Sequence, residues 1–513
     1  MRWFRPTFWI FAAASGLFQA WQYRFYIDPD GVNYLDVASA YLRHDWPAAI
    51  NSYWSPLYSW LLALVFYLFH PSPYWESTAM HALNFVIFLV ALRCGEFFIQ
   101  ELLGDQKDDR MPSWVLWSIG YCLLLFVSLF MVSVYEDTPD LCVSAFVYVA
   151  AGLLLRIRSG RAELRAYIIF GILLGIAYLA KTVMFPVAFA FLFAAGRRRG
   201  TAIAFVCFVA ISLPWIVLLS HSVKHLTYGD AGTLNYAWYV DYSGAALHPP
   251  RVLFASPEVR EFVEPIRATY PPWFNEPYWN QGIRPRFRVN TQIEALRHTT
   301  KEYLHILSGQ KEFIAAWIVL FLVGFRRFDL RWPVLLPALI AIGLYAVVGH
   351  VETRLIGPFF VLFWLALFAG LYVRAPRLIL CATLAVVTIN VFKVSKAAVL
   401  TPRNAIHIQW ETAQALHKMG FAPGTRVAYF GHTTVADYWA RLAGFEIAAD
   451  IQKEAMPEFW SAPSDVQKEI FARLSSFGIR AVLTSDVPPS SSKGWQAIPN
   501  TPYSMHLLEN PLR

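Results

Sequence analysis

Eleven apolar runs, each near the length of a membrane-crossing helix, are separated by short basic clusters, and this alternation constrains the fold more than any other feature. A crossing helix needs about 20 mostly apolar residues. The runs fall at 6–23, 75–101, 112–134, 138–155, 166–180, 182–196, 201–220, 312–325, 332–349, 355–373 and 377–397. Positively charged loops stay in the cytoplasm. The clusters are Arg2/Arg5, Lys107/Arg110, Arg156/Arg158/Arg161/Arg165, Arg197–Arg199, Arg326/Arg327/Arg331 and Arg374/Arg377. With eleven crossings, every cluster falls on the inner side. The stretch 54–69 is apolar but short, and a crossing there would send every cluster after the first outside. It is therefore expected to be an outer interfacial or re-entrant helix.

Composition agrees with a polytopic helical membrane protein. Hydrophobic residues make up 57% and charged residues 15%, against roughly 25% charge in a soluble domain. Aromatics at 17% exclude disorder over most of the chain. The net charge of +8 is accounted for by the loop clusters, so nucleic acid is not expected as a partner. Cys94, Cys122, Cys142, Cys207 and Cys381 lie inside apolar runs with no paired spacing, and read as small packing residues. The first run continues to about Tyr23 with no convincing cleavage site, so an uncleaved first span is expected.

This topology leaves outer segments at 24–74, 135–137, the turn at Lys181, 221–311 and 350–354. The 221–311 loop is too long to be a mere connection, and is rich in Pro and in aromatics such as Tyr236, Trp238, Tyr239, Tyr242, Trp273 and Trp279. Two domains are expected: 1–400 in the membrane, and a small soluble α/β domain over 401–513 on the outer side. Within the latter, 424–431 and 479–486 read as strands and 435–444 as a helix ending at Gly444.

The outer segments carry the candidate chemistry. Asp28 and Asp30 follow the first span; Asp30 either caps a helix from about Gly31 to His44 or serves as a general base at the membrane surface. Glu136 and Asp137 precede Pro139 and Asp140. Asp137 or Thr138 could cap the next helix, but acids at membrane depth usually face a cavity. Lys181 interrupts an apolar stretch on the outer side, as a snorkelling lysine or as a cation for a lipid phosphate. Gly171 and Gly175 form a small-xxx-small pattern that indicates close helix packing. In His350-Val351-Glu352-Thr353-Arg354, Arg354 either pairs with Glu352 or binds phosphate through its guanidinium fork. His221 and His225 have helical zinc-ligand spacing, but no Glu or Cys completes a site. There is no phosphate-binding loop, nucleophile elbow or CxxC pair.

In order and in side, these segments resemble the GT-C superfamily of membrane glycosyltransferases. The likeness is to the branch of protein O-mannosyltransferases, aminoarabinose transferases and the related bacterial RgtA/B/C/D-like domain. It rests on DPDGVNYLDVASAYLRHDW (28–46), SYWSPLYSWLLALVF (52–66), YEDTPD (135–140), GILLGIAYLAKTVMFP (171–186) and LTYGDAGTLNYAW (226–238), within about residues 1–375. The resemblance implies a polyprenyl-phosphate-linked sugar donor, a glycan, lipid or protein acceptor, and transfer with inversion. It also implies a bacterial inner membrane, with the site on the periplasmic side. By this resemblance Asp30, four residues before Tyr34, is the catalytic acid of the first loop, with Asp28 a less suitable partner. Glu136 or Asp137 corresponds to a second acidic position, Lys181 to a lysine at the donor phosphate, and Arg354, with His350 beside it, to a later basic region. Aminoarabinose transferases carry a lysine before the Pro that starts the next helix; Tyr53-Trp54-Ser55-Pro56 lacks it, which argues against the same donor sugar. Metal use stays open, because Asp28, Asp30 and Glu136 could hold a divalent cation. The expected function is a polyprenyl-phosphate sugar transferase; the alternative is a lipid-linked sugar flippase.

Overall fold

The computed structural model describes residues 4–104, 111–197, 199–242, 244–262, 266, 268–400, 406–432, 437–491 and 493–508. Arg2, Lys107, Arg110, Arg198 and the first residues of the 435–444 helix lie outside them. Each apolar run forms a helix. The first five are α1 (Phe4–Gln22), α2 (Pro29–Leu42), α3 (Pro56–Phe69), α4 (Glu76–Gly104) and α5 (Ser113–Phe126), the last continuing through a π turn at Val127–Met131. Then come α6 (Asp140–Arg158), α7 (Leu164–Ala180), α8 (Met184–Ala195) and α9 (Arg199–Val223). The membrane part closes with α10 (Val289–Ser308), α11 (Lys311–Gly324), α12 (Trp332–Val348), α13 (Thr353–Ala369) and α14 (Pro376–Leu400). By length and composition, α4, α5 with its π turn, α6, α9 and α14 can each cross a membrane; α3, α7, α8, α12 and α13 are shorter apolar helices. The short 54–69 run is α3, which packs on α2, α4 and α7.

Helix contacts are set by small residues where backbones approach. A Cβ on Gly171 would lie 2.0 Å from the Ala204 carbonyl oxygen, and one on Gly175 would lie 2.6 Å from Ile211 Cβ. The small-xxx-small pattern is therefore the face on which α7 crosses α9. Without hydrophobic drive between helices in lipid, such close packing holds the bundle together.

Ion pairs mark one end of the bundle. Glu96 of α4, with a fully buried side chain, accepts Arg5 Nε at 3.0 Å and Nη2 at 2.7 Å, Trp9 Nε1 at 2.9 Å and the Tyr121 hydroxyl at 2.6 Å. One turn on, Glu101 pairs with Arg156 and with Arg161. Basic residues at the start of α1, at the end of α6 and just after it thus meet the same end of α4. Asp28, Glu136, Lys181 and Arg354 gather at the opposite end.

The soluble part is a mixed sheet. Strands β1 (Arg251–Ala255) and β2 (Glu258–Glu261) belong to the 221–311 loop. A separate ribbon pairs β3 (Phe325–Phe328) with β4 (Leu371–Val373). The C-terminal segment supplies β5 (Arg426–His432), β6 (Glu446–Gln452), β7 (Ala481–Thr484), β8 (Gln496–Ala497) and β9 (Ser504–Leu507). The seven-stranded order is β1-β2-β6-β5-β7-β9-β8, with β5 parallel to β6 and β7. The sheet is therefore not built by 401–513 alone: the large loop extends it by an antiparallel hairpin, Arg260 opposite Asp450. Both segments lie on the same side of the bundle. Arg441, from the C-terminal segment, holds Asp36 of α2 at 2.5 Å, Glu76 of α4 at 3.0 Å and the Ser39 hydroxyl at 3.0 Å.

The crossing of α7 and α9 is testable. Gly171→Val forces a side chain into backbone, a change that costs at least the ~1–3 kcal/mol of ordinary overpacking. It is expected to lower the thermal midpoint of detergent-purified protein. Gly343→Ala in α12, whose Cβ meets nothing within 4 Å, is expected to leave the midpoint unchanged or slightly raised. Equal midpoints in the two variants would contradict the close crossing.

Candidate functional site

The site begins with how α2 starts. Asp28 caps it: its Oδ1 accepts the backbone N–H of Asp30 at 2.7 Å and of Gly31 at 3.4 Å. Pro29 occupies the first helical position, where no N–H is needed. The helix therefore starts two residues earlier than the expected Gly31, and capping falls on Asp28 rather than Asp30. That leaves the Asp30 side chain free, and its Oδ2 meets Arg354 Nη2 at 2.9 Å.

Neither Asp137 nor Thr138 caps the next helix, which begins at Asp140. Asp137 is fully buried behind α2, where its Oδ1 lies 2.9 Å from His81 Nε2 and its Oδ2 accepts the Asp28 N–H at 3.1 Å. A Cβ on Gly31 would come 2.5 Å from Asp137 Cβ; glycine lets the start of α2 lie against this buried acid. Asp137 does not line the cavity described below.

Asp140, which sequence reasoning did not single out, occupies the centre. Its Oδ1 lies 2.5 Å from Lys181 Nζ, and its Oδ2 accepts the Thr138 hydroxyl at 2.8 Å and lies 3.7 Å from Arg354 Nη1. The backbone turns extended at Lys181, where α7 ends, so its ammonium points to Asp140 rather than snorkelling outward. Arg354 sits in the first turn of α13. Besides Asp30 and Asp140, it donates from Nε to Glu352 Oε2 at 2.6 Å. The expected Glu352 pair thus exists within a larger cluster, one guanidinium among three carboxylates. His350 Nε2 lies 3.2 Å from Glu352 Oε1, and its ring stacks on Tyr239 at 4.7 Å.

Asp30, Lys181, His350, Glu352 and Arg354 line a cavity of about 320 Å³ whose other walls are largely aromatic: Tyr34, Tyr53, Trp54, Trp238, Tyr239, Trp273 and Tyr345. The large loop closes it. Asp230 accepts the Ser52 hydroxyl at 2.5 Å, Asn51 Nδ2 donates to the Phe274 carbonyl at 2.8 Å, and Trp54 Nε1 donates to the Trp273 carbonyl at 3.2 Å. His225 Nε2 lies 3.1 Å from Asp230, so its partner is this loop acid.

A second cavity, which shares Glu352 and Arg354 with the first, is lined by Asp28, Glu136, Glu302 and His305 among others. Burial and the hydrogen-bonded Asp28 carboxyl push Glu136 up to about 10, so it stays protonated at neutral pH. Burial also pushes Asp30 up to about 6, against the pull of Arg354. Glu352 is held well below the usual range by His350 and Arg354, against burial. Asp30 is thus ionised at neutral pH yet basic enough to take a proton. The three acids named for a divalent ion are split: Asp30 lines the first cavity, Asp28 and Glu136 the second. Among the described residues, no group of three or more His, Cys, Asp or Glu side chains is placed to hold a metal.

Sequence reasoning located Asp30, Lys181 and Arg354, and the structure brings them together with Tyr34 and His350. It missed Asp140, whose one signal was being the third acid of the 135–140 cluster, and the convergence of aromatics from distant segments.

No protein-family model matches the sequence, and no curated relative matches it. A solved structure of ArnT from Cupriavidus metallidurans bound to undecaprenyl phosphate aligns over 98% of each chain, with TM-score 0.54 and 11% identity. The apo structure of the same protein aligns over 98% of each chain at TM-score 0.45 and 12% identity, too distant to carry an argument. Aligned over nearly its whole length with the first of these, the chain shares the fold of that ArnT structure.

Proposed function

We propose that the protein transfers a sugar from a polyprenyl-phosphate-linked donor to an acceptor hydroxyl at the outer face of the inner membrane. The observation that carries this reading is the Asp30 carboxylate paired with Arg354, with Lys181 joined to the same cluster through Asp140, at the wall of a cavity rich in aromatics. The polyprenyl donor is supported by the undecaprenyl phosphate in the aligned ArnT structure. The outer orientation is supported by the basic pairs of Glu96 and Glu101 at the opposite end of the bundle. By the same sidedness the C-terminal domain, joined to the large loop through β2 and β6, lies outside.

The step follows from charge. Asp30 removes the proton of the acceptor hydroxyl as general base. The oxygen attacks the anomeric carbon from the face opposite the phosphate, and the carbon–oxygen bond to the phosphate breaks. The leaving lipid phosphate takes that electron pair and gains negative charge, which Lys181 and Arg354 offset. Asp140 lies between both cations, 2.5 Å from Lys181 and 3.7 Å from Arg354. The aromatic walls suit sugar faces and the first prenyl units. A phosphate that pairs with Arg354 draws the guanidinium away from Asp30 and makes Asp30 a stronger base. Donor binding thereby primes the acid that activates the acceptor.

The test is release of polyprenyl phosphate from a panel of polyprenyl-phosphate sugars, by protein in liposomes with crude envelope acceptors. Asp30→Asn is expected to lower turnover by about 10²–10⁴-fold without weakening donor binding. The wild-type kcat/KM, which reports the unliganded enzyme, is expected to fall as pH drops through about 6, where Asp30 takes up its proton. Equal release from wild type and Asp30→Asn would overturn the assignment; donor binding with transbilayer movement but no release would point to a flippase.

Lys181→Ala and Asp140→Asn separate the cations from their holder. Lys181→Ala is expected to weaken donor binding. Asp140→Asn loosens Lys181 and Arg354 together, and is expected to lower kcat/KM at least as much. Unaltered kcat/KM in Asp140→Asn would show that the cations position themselves without it.

A further inference from the structure

Helix α10 is too polar to cross a membrane and is not accounted for by the site. It meets the apolar α11 at an 81° bend. If α11 runs into the bilayer, α10 lies close to the membrane plane. Its sequence divides into three faces. Gln292, Ala295, Thr299 and Ile306 are buried against the bundle; Gln292 Nε2 donates to the Val347 carbonyl at 3.0 Å, and the neighbouring Tyr303 hydroxyl donates to the Ile342 carbonyl at 2.7 Å. Val289, Ile293, Leu296 and Leu304, spaced by four, three and eight residues, form a second stripe, and all four are exposed, Leu304 at 62%. Phe287, just before the helix, is 71% exposed. The third face is polar and carries Asn290, Arg297, His298 and Lys301.

Charge identifies what covers the stripe. Arg284 and Arg286 precede the helix, and Arg297 and Lys301 lie on it; all four are exposed. Against them stand Glu294, also exposed, and Glu302 at the second cavity, while Arg288 is 3.6 Å from Asp241. This excess of positive charge lies on the side the positive-inside bias leaves poor in Lys and Arg. An amphipathic helix with an open apolar stripe and a basic border is the form that lies in a lipid interface and is drawn to anionic headgroups.

We propose that α10 is an interfacial anchor: its stripe from Phe287 to Leu304 enters the acyl region of the outer leaflet, while Arg284, Arg286, Arg297 and Lys301 bind the phosphates of anionic lipids. The anchor fixes the depth of the adjoining loop, and with it the height of the cavity mouth above the bilayer. It stands independently of the transferase reading.

The test uses the full chain with a photo-crosslinking benzoylphenylalanine at Ile293 or Leu304, and at His298 as a control, in vesicles of phosphatidylcholine with phosphatidylglycerol. Positions 293 and 304 are expected to crosslink to lipid and 298 to do so weakly. Crosslinks to a second copy of the chain, or equal yields at all three positions, would overturn insertion. Lipid retention in native mass spectrometry tests the headgroup part. Replacing Arg284, Arg286, Arg297 and Lys301 by Gln is expected to cut retained phosphatidylglycerol by about threefold or more, while phosphatidylcholine is unchanged. The milder Arg297→Gln/Lys301→Gln pair is expected to show a smaller loss in the same direction. Undiminished phosphatidylglycerol in both would overturn anionic recognition.

Discussion

The guanidinium of Arg354, held at once by Asp30, Glu352 and Asp140, is the interaction on which the site depends. A planar cation with five donors can serve several carboxylates at fixed angles, as a lysine cannot. Removing one partner of a buried pair typically costs about 3–5 kcal/mol, because the remaining charge stays buried. Here each partner comes from a different segment: Asp30 from α2, Glu352 from the turn before α13, and Asp140 from the start of α6. The cluster therefore ties three separate segments together, and Asp140 extends it to Lys181 at the end of α7. The cluster sets three carboxylates, Asp30, Glu352 and Asp140, against Arg354 and Lys181, so in the proposed reaction an entering phosphate displaces an existing partner of Arg354 rather than filling an empty cationic site. That competition links donor binding to the basicity of Asp30.

The scaffold makes this geometry reproducible. Asp28 caps α2 and Asp137 lies buried behind it, so the helix that carries Asp30 is fixed by two acids that do not themselves line the cavity Asp30 faces. Gly31 permits that contact, as Gly171 and Gly175 permit the α7–α9 crossing that sets the height of Lys181. From outside, Arg441 clamps the far part of α2 through Asp36 and Ser39. The soluble domain therefore touches the helix that bears the proposed base.

Much of the bundle was legible because its signal is large and local. Runs of about 20 apolar residues and basic loops need no tertiary knowledge, and all eleven expected runs are helical. Side-chain roles within a cluster of acids were less legible. Asp28 and Asp30 both suit a cap, and only the backbone path decides that Asp28 takes it. In the 135–140 segment, Asp137 faces His81, Glu136 faces Asp28 and Asp140 faces the cations; three different environments within five residues leave no trace in composition. The hairpin β1–β2 was hidden for another reason. It completes the edge of a sheet whose other strands begin about 165 residues later, and edge pairing of that kind has no local pattern.

Competition between a phosphate and Asp30 for Arg354 is the central claim, and it makes a prediction that a simple base would not. Affinity for polyprenyl phosphate should be measured in wild type and Asp30→Asn, by titration at pH 7.5 in nanodiscs of one lipid composition. If Asp30 must yield the guanidinium to the phosphate, Asp30→Asn binds polyprenyl phosphate several-fold more tightly while losing turnover. Equal or weaker binding in Asp30→Asn would mean that Arg354 does not change partners, and would contradict the account.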